Sequence, residues 1–152
     1  MNLERICHVD QWTAENYTSE LLRDFALCRG LWLDKILLGL TLFWILPPEC
    51  HIMNLMVHPK FWGRGLGRYL MQDLLDICKS RKTTKIALEV REGNIRAETL
   101  YLHLGFFCSG LRRGYYSDGS NAKNMTLKLT NPVETIKSVY ISPSLNSPRR
   151  KS

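Results

Sequence analysis

Hydrophobic periodicity divides the first third of the chain into one predicted helix and three predicted strands. Residues 12–28 carry apolar side chains at helical spacing, which predicts an amphipathic helix with Thr13 as its N-cap. The stretch 30–46 is too apolar for a surface helix and predicts two antiparallel strands with a turn at 34–35. The stretch 50–57 predicts a third strand, because a His-Pro pair closes it.

The pattern then alternates between helix and strand. Apolar spacing predicts a helix over 66–81, and alternation predicts a strand over 85–90. A capping asparagine and a closing glycine bound a second helix over 94–104. Two closing strands are predicted within 105–116 and 123–130. This order favours an α/β or α+β fold, a mixed sheet with helices on its faces.

Length and composition indicate one domain followed by a tail. Domains mostly run to about 100–150 residues, and residues 1–130 hold all the regular periodicity. The stretch 131–152 is rich in proline and serine and ends in basic residues. We expect a disordered basic tail there, with at most a short strand near its SVYI sequence.

Composition narrows the cellular setting. No apolar run reaches the roughly 20 residues of a membrane span, and the amino terminus does not read as a signal peptide. Five scattered cysteines without a C-x-x-C pair argue against a disulfide framework or a zinc site. We therefore expect a cytoplasmic protein. The net charge of +7 admits nucleic acid, a membrane surface or an anionic ligand, but it is spread along the chain and decides none of these.

A glycine-rich stretch before the predicted helix at 66 suggests an anion site. Gly63, Gly65 and Gly67 alternate with larger residues, among them Arg64, and Arg68 follows. The first N–H groups of a helix lack intrahelical partners and attract anions, and glycine lets a phosphate approach the backbone. The stretch is not a P-loop and is a poor Rossmann fingerprint. A glycine-rich turn without a ligand is the alternative.

Two further residues favour a functional site over a glycine-rich turn without a ligand. Glu89 lies on the strand face opposite Ile86, Leu88 and Val90. Tyr101 lies twelve positions later, within the next predicted helix. Each alone has an ordinary explanation, namely an exposed polar sheet face for the glutamate and core packing for the tyrosine. Following a phosphate cradle, this glutamate and this tyrosine, together with the capping Asn94, are much harder to dismiss as ordinary packing.

These segments resemble the Gcn5-related N-acetyltransferase (GNAT) family. The stretch VHPKFWGRGLGRYLMQDLLD is similar to its acetyl-CoA motif, and ALEVREGNIRAETLYLHLGF is similar to its second signature. The second signature is filled at every position, by Leu88, Val90, Asn94, Ala97, Leu100, Tyr101, Gly105 and Phe106. The stretches LEVR and LRRGYYSDG most resemble the family's bacterial ribosomal-protein-alanine N-acetyltransferases. The likeness covers about residues 3–130.

The resemblance also shows departures. Trp62 stands where the cofactor motif usually has Gln or Arg, and His58 replaces the usual Asp. The family's first strand is apparently missing before Leu3. The implied fold is otherwise the GNAT one, a mixed and mostly antiparallel twisted sheet with helices on both faces.

The resemblance assigns roles residue by residue. Glu89 would be the base, directly or through a water, with its pKa raised by burial, and Tyr101 would be the acid for the coenzyme A thiolate. Tyr115 and Tyr116 would line the peptide groove. The implied cosubstrate is acetyl-CoA, with no metal and no covalent enzyme intermediate. Its binding residues would be Leu55, Met56, Val57, Gly63, Arg64, Gly65, Leu66, Gly67, Arg68 and Asn94.

The implied acceptor is the N-terminal α-amine of a protein, specifically a ribosomal protein. Lysine side chains and small-molecule amines fit the same chemistry. A basic nucleic-acid-binding module without enzymatic activity would explain the charge but not the spacing of Glu89, Asn94 and Tyr101, and an acetyl-CoA sensor is a further alternative. We expect neither a membrane nor a nucleic acid as a direct partner.

Overall fold

A computed structural model describes residues 12–130. This part of the chain contains three α-helices, six strands and a short 3₁₀ turn at Pro59–Phe61. The helices are α1 (Ala14–Leu21), α2 (Leu66–Ser80) and α3 (Ile95–His103). The strands are β1 (Ala26–Leu33), β2 (Ile36–Leu46), β3 (Glu49–Val57), β4 (Lys85–Arg91), β5 (Phe107–Arg112) and β6 (Ala122–Lys128).

The six strands form one sheet in the order β1-β2-β3-β4-β6-β5. Strand β4 runs parallel to β3, and the other four neighbouring pairs are antiparallel. The parallel pair is the one joined by a helical crossover, as such a connection requires. The predicted mixed and mostly antiparallel sheet is therefore confirmed.

Helices cover both faces of this sheet. The larger core lies on the face that α2 and α3 cover, where Phe43, Met71 and Leu74 are fully buried. A smaller cluster on the other face places Tyr17 of α1 against Leu40, Leu42 and Met56. The predicted covering of both faces is confirmed. None of the helices between residues 12 and 130 is long and apolar enough to cross a membrane.

The first predicted helix is wrong in its second half. Thr13 does cap a helix, and its Oγ1 accepts from the Asn16 amide at 3.2 Å, but that helix ends at Leu21. Residues from Ala26 onward belong to β1 and pair with β2. Long-range pairing with the apolar β2 strand overrides the local helical spacing here. The other predicted helices and strands are found with small shifts at their ends.

Two predictions concern residues outside the described range. One concerns a first strand before Leu3 and the other concerns the basic tail over 131–152, so both remain predictions.

The sheet opens between its two central strands. Pairing of β3 with β4 runs from Glu49–Lys85 to Ile52–Leu88 and then stops, although both strands continue. A register irregularity next to Met53 bends β3 at this point, as β-bulges do. The strands therefore diverge towards their carboxyl ends and leave a gap in the middle of the sheet.

Candidate active site

The gap between β3 and β4 widens into a cleft of about 810 Å³. One wall comes from β3 and includes Asn54 and Leu55, and the opposite wall comes from β4 and includes Glu89. Residues of α3 and of the loop between β5 and β6 close the remaining sides. The cleft therefore runs through the sheet, bounded by elements from both of its faces.

Glu89 lies at the edge of this cleft with its side chain 16% exposed. Burial along β4 alternates strictly, which puts Glu89 on the face opposite Leu88 and Val90, as predicted. Its Oε2 lies 2.9 Å from Nε2 of His51, and its Oε1 lies 3.8 Å from Nη2 of Arg112. The carboxylate is thus held between a histidine of β3 and an arginine of β5.

The predicted rise in the pKa of Glu89 is wrong. The hydrogen bond from His51 lowers the pKa of this carboxyl, and the charge of Arg112 acts in the same direction. Burial opposes this shift but does not outweigh it. Glu89 is therefore a carboxylate at neutral pH, which leaves it free to accept a hydrogen bond or a proton. His51 and Arg112 are far from Glu89 in sequence, so no local spacing revealed them.

Tyr101 approaches the cleft from α3. Asn94 caps this helix, and its Oδ1 accepts from the Ala97 amide at 3.3 Å. The tyrosine ring is 6% exposed and packs on Phe106, with the ring centroids 5.5 Å apart. Burial raises the pKa of the Tyr101 hydroxyl, with a smaller contribution from Tyr116. The hydroxyl is therefore protonated at neutral pH and available as a donor.

The glycine-rich loop ends in bare helix amides. Gly63 and Gly65 have φ of 73° and 77°, a region that side chains other than glycine rarely adopt. Gly65 is the N-cap of α2 and supplies no side-chain hydrogen bond, and a Cβ added there would meet nothing within 4 Å. The first amide of this helix with an intrahelical acceptor is that of Tyr69. The amides before it precede the first intrahelical hydrogen bond and suit an anion.

Gly67 has a different role from the two glycines before it. A Cβ at this position would come within 3.2 Å of the Leu100 side chain, so Gly67 permits close packing of α2 against α3. The two arginines of the loop are exposed, and the Arg64 guanidinium lies 5.3 Å from the centre of the Phe61 ring. Positive charge therefore surrounds the bare amides.

Trp62 connects this loop to the cleft. Its Nε1 donates to the carbonyl oxygen of Val57 at 2.8 Å, and the Arg96 guanidinium lies 4.1 Å from the centre of its ring. One side chain thus joins the glycine loop, the end of β3 and the first turn of α3. Trp62, which departs from the family motif, therefore makes specific contacts in the structure.

The end of β3 offers main-chain groups to a ligand. Leu55, Met56 and Val57 pair with β2 on one edge. On the edge towards β4, strand pairing ends at Ile52 within the described residues. The Met56 side chain packs in the small cluster beneath α1, so only its backbone is near the gap.

Tyr115 and Tyr116 line the cleft on the side of the β5–β6 loop. Their rings meet edge to face with centroids 5.0 Å apart. The Arg91 guanidinium lies 4.0 Å from the centre of the Tyr116 ring and pairs with Asp118 at 2.7 Å. These contacts hold the loop against the end of β4.

The structure places six of the fourteen predicted site residues around the cavity, namely Leu55, Glu89, Asn94, Tyr101, Tyr115 and Tyr116. The glycine loop, Met56 and Val57 are not among its lining residues. Met56 and Val57 continue β3 beyond the lining residue Leu55, and the Val57 carbonyl accepts a hydrogen bond from Trp62, the residue next to the glycine loop.

Comparison with known proteins is consistent with this arrangement. Residues 1–106 match the family described as acetyltransferase (GNAT). A Bacillus subtilis (strain 168) protein, provisionally named a ribosomal protein bS18-alanine N-acetyltransferase, is 31% identical over 128 residues, which are 78% of this chain and 85% of the relative.

Two further comparisons involve Escherichia coli. The ribosomal protein bS18-alanine N-acetyltransferase of strain K12 is 29% identical over 118 residues, 76% of this chain and 77% of that protein. The crystal structure of the E. coli ribosomal-protein-S18-alanine N-acetyltransferase superposes with a TM-score of 0.78 at 29% identity, covering 85% of this chain and 84% of that one. This chain belongs to the acetyltransferase (GNAT) family.

Proposed function

We propose that this protein transfers an acetyl group from acetyl-CoA directly to the N-terminal α-amine of a protein, with a ribosomal protein as the acceptor. The observation that carries the proposal is the cleft through the sheet, where an ionised Glu89 and a protonated Tyr101 line one cavity. The bacterial relatives are named ribosomal protein bS18-alanine N-acetyltransferases, which supports the same acceptor. With such an acceptor, we expect the reaction to take place in the cytoplasm.

The residues present suit acetyl-CoA. The amides after Gly65 and the exposed Arg64 and Arg68 fit a pyrophosphate, and the part of β3 beyond Ile52, where strand pairing with β4 has ended, fits the amide groups of a pantetheine arm. The Asn94 Oδ1 caps α3, which leaves the Nδ2 of its side chain for the same arm. When bound, acetyl-CoA would supply an activated thioester.

Glu89 would act on an amine that is already partly neutral. An α-amine has a pKa of about 7.7–8.0, so about a third of it is neutral at pH 7.5, whereas a lysine is neutral in only about one molecule in a thousand. A carboxylate with a lowered pKa is a weak base. It suits the removal of a proton from the attacking α-amine better than from a lysine ammonium.

Tyr101 would stabilise the departing thiolate. Its pKa lies above the usual value, so the hydroxyl stays protonated, but complete proton transfer to a thiolate of pKa about 8.5 is uphill. We therefore assign Tyr101 chiefly as a hydrogen-bond donor to the leaving sulfur, with the proton finally supplied through solvent. This differs from full general acid catalysis, which the family resemblance alone implies.

Acetylation of two matched peptides tests the proposal. One peptide begins with a free alanine and contains internal lysines, and the other has the same sequence with its α-amine blocked. We expect mass spectrometry to show acetylation of the first peptide only. Glu89→Gln should lower the rate most near pH 7 and less near pH 9, where the amine is neutral without a base.

Glu49→Gln serves as a control, because Glu49 is an exposed carboxylate paired with Lys85 at the far end of β3. It should leave the rate at every pH within about twofold of the wild type, as expected for an exposed pair. Equal acetylation of the blocked peptide would replace the α-amine by lysine as the acceptor. Absence of turnover with both peptides and with small amines would contradict the activity itself.

A further inference from the structure

His51 contacts Glu89 from behind the cleft. It is on β3, where it is paired in register with Ala87 of β4, and it shares the sheet face of Glu89. It is not among the residues that line the cavity, whereas Glu89 is. His51 thus lies outside the wall of the cavity, and its Nε2 lies 2.9 Å from Oε2 of Glu89.

We propose that His51 is a positioning residue for Glu89: its Nε2–H holds one carboxylate oxygen and leaves the other for the acceptor amine. This inference rests on the proposed function of Glu89 as the base. The other oxygen is Oε1, which forms an ion pair with Nη2 of Arg112 at 3.8 Å, a distance too long for a hydrogen bond. The carboxylate thus has one fixed oxygen and one with available lone pairs.

The orientation of His51 is itself supported. The Trp44 ring lies beside it with centroids 6.4 Å apart. The Trp44 Nε1 donates to Oε2 of Glu20 at 2.7 Å, which ties the indole to α1. A series of contacts therefore runs from α1 through Trp44 and His51 to the carboxylate.

The charged surroundings of Glu89 come from each neighbouring strand. His51 faces it from β3, and Arg112 reaches it from β5. On its own strand, Arg91 lies on the same face but pairs with Asp118. On β6, the residue opposite Glu89 is the uncharged Asn124. Removal of His51 would therefore leave Arg112 as the main remaining cationic neighbour.

Two substitutions at His51 distinguish the loss of its hydrogen bond from the loss of its side-chain volume. His51→Leu removes the donor, whereas His51→Gln places an amide N–H near the position of Nε2 and can restore the hydrogen bond. His103→Leu and His103→Gln are matched controls, because His103 is an exposed histidine at the end of α3. Melting temperatures of all four variants would show that each is folded.

We expect His51→Leu to lower kcat by about 10–100-fold, the range known for residues that orient a functional group from behind. The KM values for peptide and acetyl-CoA should change much less, and His51→Gln should recover most of kcat. The control variants should match the wild type. In addition, ¹³C NMR of the Glu89 carboxyl should show its pKa rising in His51→Leu, because the main cause of its lowering is removed.

The same rise in the pKa of Glu89 predicts that the stability of the fold depends less on pH. A lowered pKa means that the Glu89 carboxylate stabilises the fold above its ordinary pKa of 4.5, and that this contribution is lost as the pH falls through the lower folded value. His51→Leu should therefore unfold with a weaker dependence on pH in this acidic range. A purely structural histidine would not change the titration of Glu89.

Three results would overturn the proposal. One is a folded His51→Leu variant with wild-type kcat while Glu89→Gln is impaired, which would leave the proposed function standing. The other is an unchanged Glu89 titration in His51→Leu, which requires no turnover and so is decisive even if the protein acetylates none of the peptides. Equal loss in His51→Leu and His51→Gln, both folded, would likewise exclude the hydrogen bond as the cause.

Discussion

The two sides of the cleft are built in different ways. On the cofactor side, the groups offered to a ligand are mostly main-chain amides, at the edge of β3 and at the start of α2 after Gly65. On the acceptor side they are side chains, and Glu89 is held by His51 and Arg112 from two other strands. A ligand would therefore meet backbone on one side and a charged side-chain cluster on the other.

This difference predicts how each side responds to substitution. A site made of backbone tolerates changes to side chains that point away, but it fails when a side chain is added where none belongs. A site made of side chains fails when one chemical group is removed, even if the fold is unchanged. Substitutions that add a side chain on the first side, and substitutions that remove a functional group on the second side, therefore test this comparison.

The largest effect is expected from Gly65→Glu. A side chain and a negative charge would stand before the bare amides of α2, where nothing now lies within 4 Å of a Cβ. We expect acetyl-CoA at a concentration that stabilises the wild type by mass action to produce no shift of Tm in the variant.

Gly119→Glu is the matched control for this experiment. Gly119 also has a positive φ, of 82°, and open space around a Cβ, but it lies in the loop between β5 and β6. Both variants carry a similar backbone strain of about 1–2 kcal/mol. Equal loss of the acetyl-CoA shift in both would show that strain, not the anion site, explains the result.

The local geometry of the proposed cofactor side could be predicted from the sequence because its signal is local. Gly63, Gly65 and the helix that follows are consecutive, and the geometry of a helix N-terminus is independent of the rest of the fold. The same holds for Asn94, which the sequence predicts as a cap and the structure confirms as one. Local pattern and observed structure agree wherever one segment determines the feature.

The acceptor side could be predicted only in part. Strand alternation gave the face of Glu89, but its neighbours His51 and Arg112 are brought to it by β3 and β5, which no spacing along the chain specifies. The direction of its pKa shift depends on those neighbours, so burial alone predicted the wrong sign. The helix predicted over 12–28 failed for the same reason, because pairing with β2 is a long-range contact.

An intermediate effect is expected from Tyr101→Phe, which removes a functional group from the side of the cleft that is built of side chains. Within the described residues the hydroxyl makes no hydrogen bond, and the ring packs on Phe106, so stability should be nearly unchanged. A donor to a developing negative charge contributes about 10²–10³-fold to kcat. We expect such a loss, with an unchanged Kd for acetyl-CoA by calorimetry. A folded variant with wild-type kcat would reduce Tyr101 to a packing residue.

The smallest effect is expected from Trp62→Gln, which tests whether side chains matter at all on the backbone side. Glutamine retains an N–H donor for the Val57 carbonyl but loses the stacking with Arg96, an exposed cation–π contact of about 0.5–1 kcal/mol. Because this contact is made within the protein itself, its loss should mainly lower stability by about that amount, and the Kd for acetyl-CoA should weaken by no more than the corresponding roughly fivefold. Trp62→Ala loses the hydrogen bond as well and should bind more weakly still, while kcat at saturation stays unchanged in both. A fall in kcat in either variant would mean that this side of the cleft also takes part in the chemical step, and the division between the two sides would no longer hold.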